Sequence, residues 1–444
     1  MPQLMFAVEW DVFSNIRNSK TQHHGVNPST GEQLWTVPLA TKSDLDDAVR
    51  SARRAFESFS QTSLEERKML LSAFRDCLLA NAERMTDLLC AETGKPPSVA
   101  EWETKGIAEW FDHHLALQMP EERVEDEEKI VHTRYQGNAI IVKPSPFSPY
   151  STLKIVELAQ SIFEPGVIQA LGGDDNLGPM MTSDQDIAKI SFTGSTHVGK
   201  KLMAACAGTV KHVTLEPGGN DACIVRPDVD IAATAMEVAT GAFQNSGQIC
   251  VGTKRIYIHD DIYDDFLKEM VKYTEHIDIG NPESGALMGP IQNSMQFDRV
   301  KEFFRDTKVR GYQVATGEPY IDTSKGFFIL PAIVDNPPDE SLIVTEEPFG
   351  PIVPTLRWRD EDDVIRRAND TTTGLGASVW SKDVARAERL GTRPQCGSVW
   401  INSYGKPSPM GYFRGHKESG IGGEWGTEGL RSYCNAQVMH TYKS

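Results

Sequence analysis

The chain has 444 residues, of which 39% are hydrophobic and 24% charged, enough for two or three domains that each bury a core. Its 62 Asp and Glu against 45 Lys and Arg give a net charge of −17, and this acidic balance argues against nucleic acid as a partner. Seven cysteines without a CxxC pair or zinc-ligand spacing argue against a disulfide framework and against a metal site.

The first third of the chain is predicted to be mainly helical. The opening residues, MPQLMFAVEWDVFSN, lack the basic and apolar regions of a signal peptide, and no run in the chain reaches the ~18 apolar residues of a membrane span. A cytoplasmic protein without membrane contact is therefore expected. After the turn NPSTG, apolar residues recur with helical spacing over 45–59, 65–93 and 102–117.

Strands alternate with helices from residue 130 onward. The stretch IVHTRY (130–135) alternates apolar and polar residues as a half-buried strand does, and AIIV (139–142) predicts a fully buried strand. Further strands and helices are predicted at 152–163, 167–171, 187–207 and 212–225, and the alternation continues through the second half. This order predicts parallel βαβ units and a nucleotide-binding type of sheet.

Cys250 stands between a glycine-containing turn and a predicted strand, in FQNSGQICVGTKRIYIH (243–259). A loop position keeps a sulfur accessible, as a nucleophile requires. A lone cysteine is more often a small buried apolar residue, so Cys250 alone indicates little. Glu216 lies 34 residues earlier, before a Pro-Gly-Gly turn, and a lone glutamate is more often a solvated surface carboxylate.

Together these residues resemble motifs of the aldehyde dehydrogenase superfamily. Residues 243–250 match the nucleophile signature F-x-N-x-G-Q-x-C, and 214–220 match the base motif T-L-E-x-G-G-N at the family's usual separation. Further similarity lies in VKPSPF (142–147), FTGSTHVG (192–199), EEPFGP (346–351), INSY (401–404) and KESGIGGEWG (417–426). The resemblance extends from about Asn27 to the C-terminus.

The resemblance implies NAD(P)-dependent oxidation of an aldehyde to a carboxylic acid. Cys250 would attack the aldehyde carbon as a thiolate and form a thiohemiacetal, and loss of hydride to the nicotinamide would leave a thioester. Glu216 would act as the general base that takes a proton from the hydrolytic water. Pro217 stands beside this base, where the family usually has leucine.

The resemblance also implies a set of cofactor-binding residues. Lys143 would bind the adenosine ribose, Glu347 would bind the nicotinamide ribose, and Phe349 would pack beside it. The pyrophosphate would lie at the start of a helix, in the loop that leads into it. This loop comprises Gly194, Ser195, Thr196, His197, Val198 and Gly199. His197 replaces the family's usual glutamate and is expected to point outward.

The choice of cofactor depends on the position three residues after Lys143. NAD-preferring members often have a glutamate there, which binds the ribose 2′-hydroxyl. Pro146 occupies that position in this chain, and no carboxylate is expected nearby. The prediction is therefore NAD, with NADP as the alternative.

One segment that family members have between the R-Y strand and the V-x-K-P-S strand has no counterpart here. Gly137 is followed directly by Asn138, and the chain contains no Pro-Trp-Asn. Roughly 30 residues are expected to be missing, namely a strand, a P-W-N-F-P motif whose asparagine donates to the oxyanion, and a helix. A missed exon or shortened isoform, a lineage with a smaller cofactor domain, and a non-catalytic relative are the three explanations.

The predicted architecture is an aldehyde dehydrogenase-like α/β fold. It comprises a Rossmann-type cofactor domain (1–125 and 137–217), an α/β catalytic domain (218–427) and a small oligomerisation arm (126–136 and 428–444). A homodimer or homotetramer is expected to act on a small-molecule aldehyde, and KPSPFSPY resembles fungal members in biosynthetic pathways. Two alternatives stay open: an inactive scaffold relative, and a cofactor-independent thioester or ester hydrolase.

Overall fold

The computed structural model describes residues 22–118, 123–316, 321–322 and 326–443, so the predictions for residues 1–21 lie outside the described residues. The elements up to the predicted base are β1 (Gln22–Val26), β2 (Gln33–Pro38), α1 (Lys42–Phe59), α2 (Leu64–Ala80), α3 (Ala82–Thr93), α4 (Pro97–Ala116), β3 (Arg123–Glu125), β4 (Lys129–Tyr135), β5 (Ile140–Val142), α5 (Tyr150–Gln160), β6 (Ile168–Ala170), α6 (Leu177–Ser183), β7 (Lys189–Thr193), α7 (Thr196–Ala207) and β8 (His212–Glu216).

The elements that follow are β9 (Ala222–Val225), α8 (Ile231–Phe243), β10 (Arg255–His259), α9 (Tyr263–Thr274), α10 (Ser294–Arg310), β11 (Ile321–Asp322), β12 (Phe328–Ile329), β13 (Ala332–Asp335), α11 (Leu342–Thr345), β14 (Ile352–Trp358), α12 (Glu361–Asn369), β15 (Thr373–Gly374), β16 (Gly376–Trp380), α13 (Val384–Gly391), β17 (Ser398–Ile401), β18 (His416–Lys417), α14 (Gly426–Ser432) and β19 (Ala436–Tyr442).

The helical first third is confirmed by α1 to α4. Thr41 and Asp44 form a capping box at the start of α1, and Ser63 and Glu66 form another at the start of α2. Each box satisfies two backbone N–H groups that the first helical turn leaves without a partner. In the described part of the chain, no helix is long and apolar enough to cross a membrane.

The centre of the fold is a six-stranded parallel sheet in the order β13-β14-β10-β9-β16-β17. Alternate residues of its strands face two different clusters of buried apolar side chains, as a parallel strand covered on both faces requires. Helices α8 and α9 cover one face, where Val238 and Phe266 are fully buried. Helices α10, α12 and α13 cover the other face, around Val300. The loops that precede these parallel strands therefore meet along one edge of the sheet.

The strands β5 to β8 form two separate parallel pairs, β5–β6 and β7–β8. Helix α1 covers one face of β5–β6 and α5 covers the other. Ile140, at the start of β5, is nevertheless 43% exposed, so the prediction that AIIV is a fully buried strand is wrong. A strand is fully buried only when it has neighbours along both edges as well as helices on both faces. Within the described ranges, β5 and β7 each pair with one strand.

A third, antiparallel sheet has the strand order β19-β4-β3. Strand β19 pairs with β4 along its whole length, with Val438 opposite Thr133, and all seven residues of β19 are exposed. These strands include both segments of the predicted oligomerisation arm. Strand β3 belongs to the same sheet, although 123–125 fall inside the predicted cofactor range, and the domain ranges stay predictions.

Candidate active site

Three loops meet at the edge of the central sheet where β9, β10 and β14 begin. They are the turn 216–221, the segment 244–254 and the loop 346–351. Parallel neighbours begin at the same edge, so residues just before these strands lie close together. The second and third loops touch at Gly247, where an added Cβ would collide with the Gly350 carbonyl. The amino edge of the central sheet therefore builds this site.

The segment that carries Cys250 begins with a tight left-handed turn. Asn245, Ser246 and Gly247 have φ values of 52°, 58° and 71°, in a region that favours glycine. The Asn245 side-chain amide donates to the Gln248 carbonyl at 3.0 Å, and the Gln248 amide donates back to the Asn245 carbonyl at 3.1 Å. The asparagine, glycine and glutamine of the nucleophile signature thus fix the turn that presents Cys250.

The glycine pair after Glu216 lets the other two loops approach closely. A Cβ at Gly218 would collide with the Glu347 carboxylate. A Cβ at Gly219 would lie 2.6 Å from Asp221 Oδ1 and 2.8 Å from the Cys250 carbonyl oxygen. Both glycines are therefore required by close packing against the predicted nucleophile and the predicted ribose ligand.

The Cys250 thiol is half-buried among charged groups. Burial raises the pKa of this thiol to about 11, the carboxylates of Asp221 and Glu347 add to the rise, and the Lys254 ammonium opposes it. The thiol is therefore protonated at neutral pH, and a base or a bound ligand must change its surroundings before it attacks.

Lys254 is a charged residue of this site that the motifs did not indicate. Its side chain is 2% exposed and its Nζ donates to the carbonyl oxygens of Gly247 and Ile249, each at 2.9 Å. The same Nζ lies 3.8 Å from Glu347 Oε1 and 5.4 Å from the Phe349 ring centroid. A buried lysine four residues after Cys250 has no signal in the hydrophobic pattern, which treats any lysine as a surface residue.

A buried carboxyl, that of Asp221, and a half-buried one, that of Glu347, lie on the Cys250 side of the site. Burial raises the pKa of Glu347 to about 7, with Lys254 opposing and Asp221 adding to the rise. Burial also raises the pKa of Asp221 to about 7, and the Gly376 N–H, which donates to Asp221 Oδ1 at 3.0 Å, opposes it. Asp221 follows the base motif directly, yet no pattern in the sequence predicts its burial.

Glu216 ends β8 and faces a different group of charges. It is 6% exposed, and neither carboxylate oxygen has a hydrogen-bond partner among the described residues. Burial raises the pKa of Glu216 to about 8, the Glu424 carboxylate adds to the rise, and Arg414 opposes it. Glu424 is itself held by the Ser191 and Tyr433 hydroxyls, which donate at 2.8 and 2.7 Å. Glu216 thus combines burial with a like charge, the conditions that strengthen a carboxylate as a base.

The predicted pyrophosphate loop joins β7 to α7. Ser195 caps α7 by accepting the Val198 N–H at 3.3 Å, and the Gly194 N–H donates to the Glu216 carbonyl at 3.3 Å. His197 is exposed, as expected, and Gly199 is buried. Thr196 is the first residue of the helix. The loop therefore presents an accessible helix start beside the strand that carries Glu216.

Lys143 follows β5, and its closest charged groups come from the loop after β6. Burial lowers the pKa of Lys143, whereas Asp175 and Asp174 raise it. Val142 of β5 pairs with Ala170 of β6, which brings the two loops together at the carboxyl end of the pair. The carboxylates whose charge acts on Lys143 thus come from the neighbouring strand's loop, and the choice between NAD and NADP stays a prediction.

An apolar cluster that contains aromatic rings lies beside Cys250. Trp400, Phe413 and Trp425 belong to the same cluster as Cys250. Phe413 stacks on Trp425 with ring centroids 4.5 Å apart, and Trp110 of α4 meets Trp425 edge-on at 4.6 Å.

The described residues contain no group of three or more His, Cys, Asp and Glu that could hold a metal ion.

The model of the "Aldehyde dehydrogenase family" matches residues 16–134 and 127–439. The chain belongs to the aldehyde dehydrogenase family. The resemblance predicted from the motifs is confirmed, and with it the class of oxidoreductases that act on aldehydes. The two matched ranges overlap at 127–134, beside the point where the sequence predicts a missing segment.

Curated aldehyde dehydrogenases match the chain over almost its whole length. Aldehyde dehydrogenase LUC3 from Fusarium sp is 39% identical over 465 positions, with 98% of this chain and 100% of LUC3 covered. The betaine aldehyde dehydrogenase of Bacillus subtilis is 30% identical, with 94% of this chain and 93% of that protein covered. The LUC3 alignment is longer than the chain's 444 residues, so it contains positions that this chain lacks.

Solved aldehyde dehydrogenase structures share the fold. Betaine aldehyde dehydrogenase from Staphylococcus aureus in complex with NAD+ matches with a TM-score of 0.91 and 27% identity, over 95% of this chain and 92% of that chain. A lactaldehyde dehydrogenase matches with a TM-score of 0.92 and 26% identity, over 96% and 97%. The predicted aldehyde dehydrogenase-like α/β fold is therefore confirmed.

Proposed function

We propose that this chain oxidises an aldehyde to a carboxylic acid with NAD(P)+ as hydride acceptor, with Cys250 as nucleophile and Glu216 as general base. The observation that carries the proposal is the close packing of the Cys250 segment, Glu347 and the Gly218-Gly219 turn in a chain of this family. Each of the three comes from a different motif, so their convergence is not explained by local structure alone.

The first half of the reaction belongs to Cys250. The thiol must lose its proton before attack, because a thiol with a pKa of about 11 is protonated at neutral pH. Attack forms a carbon–sulfur bond and turns the carbonyl oxygen into an oxyanion. A bound nicotinamide would supply the acceptor for the hydride that leaves this carbon, and its loss would leave Cys250 carrying a thioester.

The second half depends on Glu216. A carboxylate with a pKa of about 8 is a stronger base than an ordinary one. It takes a proton from water as the water oxygen bonds to the acyl carbon. The carbon–sulfur bond then breaks, which releases the acid and regenerates Cys250.

The residues present fit a nicotinamide dinucleotide. Glu347 Oε1 is buried without a hydrogen-bond donor among the described residues, and a ribose hydroxyl is such a donor. The start of α7 would hold the pyrophosphate and Lys143 the adenosine ribose. We expect NAD rather than NADP, because Asp174 and Asp175 act on the same position as Lys143 and would repel a 2′-phosphate.

We also propose that a strand and a helix of the family fold are missing between Gly137 and Asn138. Three observations support this. The family match divides beside this point, the LUC3 alignment is longer than the chain, and β5–β6 and β7–β8 form separate pairs. A missing oxyanion donor alone would slow the reaction about 10²–10³-fold.

The proposed activity is tested by incubating the purified chain with aliphatic and aromatic aldehydes and NAD+ or NADP+. We expect slow formation of the reduced nicotinamide with NAD+, and none in Cys250→Ala. Absorbance that stays flat for every aldehyde and both cofactors would overturn the proposal for this chain. Ester hydrolysis without cofactor, lost in Cys250→Ala, would support the hydrolase alternative instead.

The role of the missing segment is tested by inserting a family-like strand and helix between Gly137 and Asn138. If the gap limits the activity, the insertion raises the rate of aldehyde oxidation by about 10²-fold or more. The matched control is the same insertion in the Cys250→Ala variant, which stays inactive. An unchanged rate in a folded insertion variant would contradict this role.

Further features of the family stay proposals for this chain. The exposed strand β19 and its neighbour β4 are placed to join subunits, which supports a homodimer or homotetramer. A cytoplasmic location and a role in a fungal biosynthetic pathway are also proposed, and the Fusarium relative agrees with a fungal origin.

A further inference from the structure

Lys254 is a buried lysine in a place where a lysine needs a reason. Its side chain is 2% exposed, and the residue lies immediately before β10, four residues after Cys250. An ammonium taken out of water is costly unless it is paired with acceptors and an opposite charge. The contacts that hold it therefore indicate what its charge is used for.

The hydrogen bonds of Lys254 are made to the part of the segment 244–254 that precedes Cys250. The Lys254 ammonium donates to the carbonyl oxygens of Gly247 and Ile249, each at 2.9 Å. Gly247 ends the left-handed turn and Ile249 immediately precedes Cys250. The Lys254 side chain thus connects the nucleophile segment to the start of β10.

The same ammonium lies among the charges around the thiol. Asp221, at the start of β9, and Glu347, in the loop before β14, both disfavour a thiolate at Cys250, and Lys254 favours it. Lys254 Nζ is 3.8 Å from Glu347 Oε1. Arg255, the next cation on the strand, donates instead to the carbonyl oxygens of Asn220 and Ala368, each at 2.8 Å.

We propose that Lys254 is a positioning residue that sets the reactivity of Cys250: its ammonium holds the nucleophile turn in shape and offsets the charge of Glu347, so that the thiolate can form. The significance of this role for catalysis rests on the proposed function, in which Cys250 is the nucleophile. The reactivity of the thiol itself can be measured without aldehyde or cofactor.

The test is the pH dependence of Cys250 alkylation. The full chain is treated with iodoacetamide between about pH 6 and 11, a range that covers the ionisation of a thiol. Labelling of Cys250 is followed by peptide mass spectrometry, and Cys77 in the same sample serves as the reference. We expect Lys254→Met to reduce Cys250 labelling at pH 8 about tenfold, Lys254→Arg to restore most of it, and Glu347→Gln to increase it.

Opposite effects of the two substitutions separate charge from structural damage. A loosened loop would change labelling in the same direction in Lys254→Met and Glu347→Gln, and that result would overturn the proposal. Equal pH profiles for the natural chain and Lys254→Met would also overturn it. If Lys254→Met does not fold, Glu347→Gln decides: unchanged labelling overturns the proposal, and faster labelling supports it.

The outcome is independent of the proposed oxidation. Opposite shifts in labelling, together with no aldehyde oxidation, would support the role of Lys254 and contradict the proposed function. Aldehyde oxidation with unchanged labelling profiles would do the reverse.

Discussion

Glu216 shows how far the surroundings of one side chain can change its chemistry. It ends a strand, is 6% exposed and faces Glu424, so its pKa rises to about 8. A carboxyl in water loses its proton near pH 4, and Glu216 would then be a poor base for a water molecule. Burial beside a second carboxylate gives the residue the basicity that its proposed role in thioester hydrolysis requires.

The pH profile of acid formation follows from this pKa. We expect the rate of thioester hydrolysis, the step after attack by Cys250, to rise with pH and to level off above about pH 8, because Glu216 acts as a base only when it has lost its proton. Glu216→Gln should lower the rate of this step about 10²-fold or more and remove this rise. Release of the acid from preformed acyl-enzyme, followed between pH 6 and about 10, measures both effects without the ionisation of the Cys250 thiol. A profile that is the same in both proteins would mean that another group is the base.

At the level of single residues, the motifs predict Cys250 as nucleophile and Glu216 as base, and these roles stay proposals. The motifs do not predict the charges that surround the two residues. Lys254 and Asp221 were missed, because burial and charge pairing arise from contacts between distant parts of the chain. The residues that neighbour Lys254 and Asp221 in the sequence do not indicate that either side chain is buried.

Among elements, three loops rather than any helix or strand build the site, and glycines decide how closely those loops approach. Gly247 has a φ of +71° and touches Gly350 of the neighbouring loop. Gly311 ends α10 with the same φ of +71°, and an added Cβ there would meet nothing within 4 Å. The two positions have the same left-handed backbone conformation but differ in packing.

Substituting these two glycines by alanine separates strain from loop contact. Gly311→Ala should lower the free energy of unfolding by about 1 kcal/mol, since it adds left-handed strain alone. Gly247→Ala should lower it by roughly 2–4 kcal/mol, because the methyl group also displaces the loop 346–351. Denaturant unfolding gives the free energies, and Cys250 alkylation reports the displaced loop. Equal losses would show that the contact with Gly350 contributes nothing.

The strands and helices themselves were largely predictable, with one informative exception. Alternation and helical spacing gave α1 to α4, the βαβ units and the strands around Cys250. The stretch AIIV has the composition of a buried strand, but Ile140 is 43% exposed. The apolar composition of a strand favours its burial. The exposure of its residues depends on the neighbouring strands and helices that the rest of the chain provides.

The molecule contains several carboxyls whose pKa is raised by burial, so its free energy of unfolding depends on pH. The pKa rises to about 8 in Glu216 and to about 7 in both Asp221 and Glu347. In the unfolded chain these groups ionise near pH 4, so between pH 4 and 8 the folded state binds more protons. Stability from these groups is complete below pH 4 and is lost as pH rises through 7 to 8.

We therefore expect the melting temperature to fall by a few degrees between about pH 5 and 9. Glu216→Gln should reduce this fall, because the glutamine cannot ionise. Calorimetry at low salt in the absence of cofactor measures both proteins. A melting temperature that rises over this range would show that these carboxyls are ionised in the folded chain.

The order of strands in the sheets could not be read from the sequence. The pairing of β9 with both β10 and β16 joins parts of the chain that are far apart, and local patterns carry no record of such pairing. The family resemblance supplied the fold class instead. It also supports the proposal of a missing segment after Gly137, with which the separate pairs β5–β6 and β7–β8 agree.

The separate pairs have a consequence for the order in which the chain acquires structure during synthesis. Strands β5 and β6 are joined through α5, and β7 and β8 through α7, so each pair is complete soon after its last residue leaves the ribosome. Strand β9 must wait for β16 before it has both neighbours. We therefore expect β5–β6 and β7–β8 to have their strand partners available before the central sheet is complete, and the loop that carries Cys250 to take its final shape late in translation.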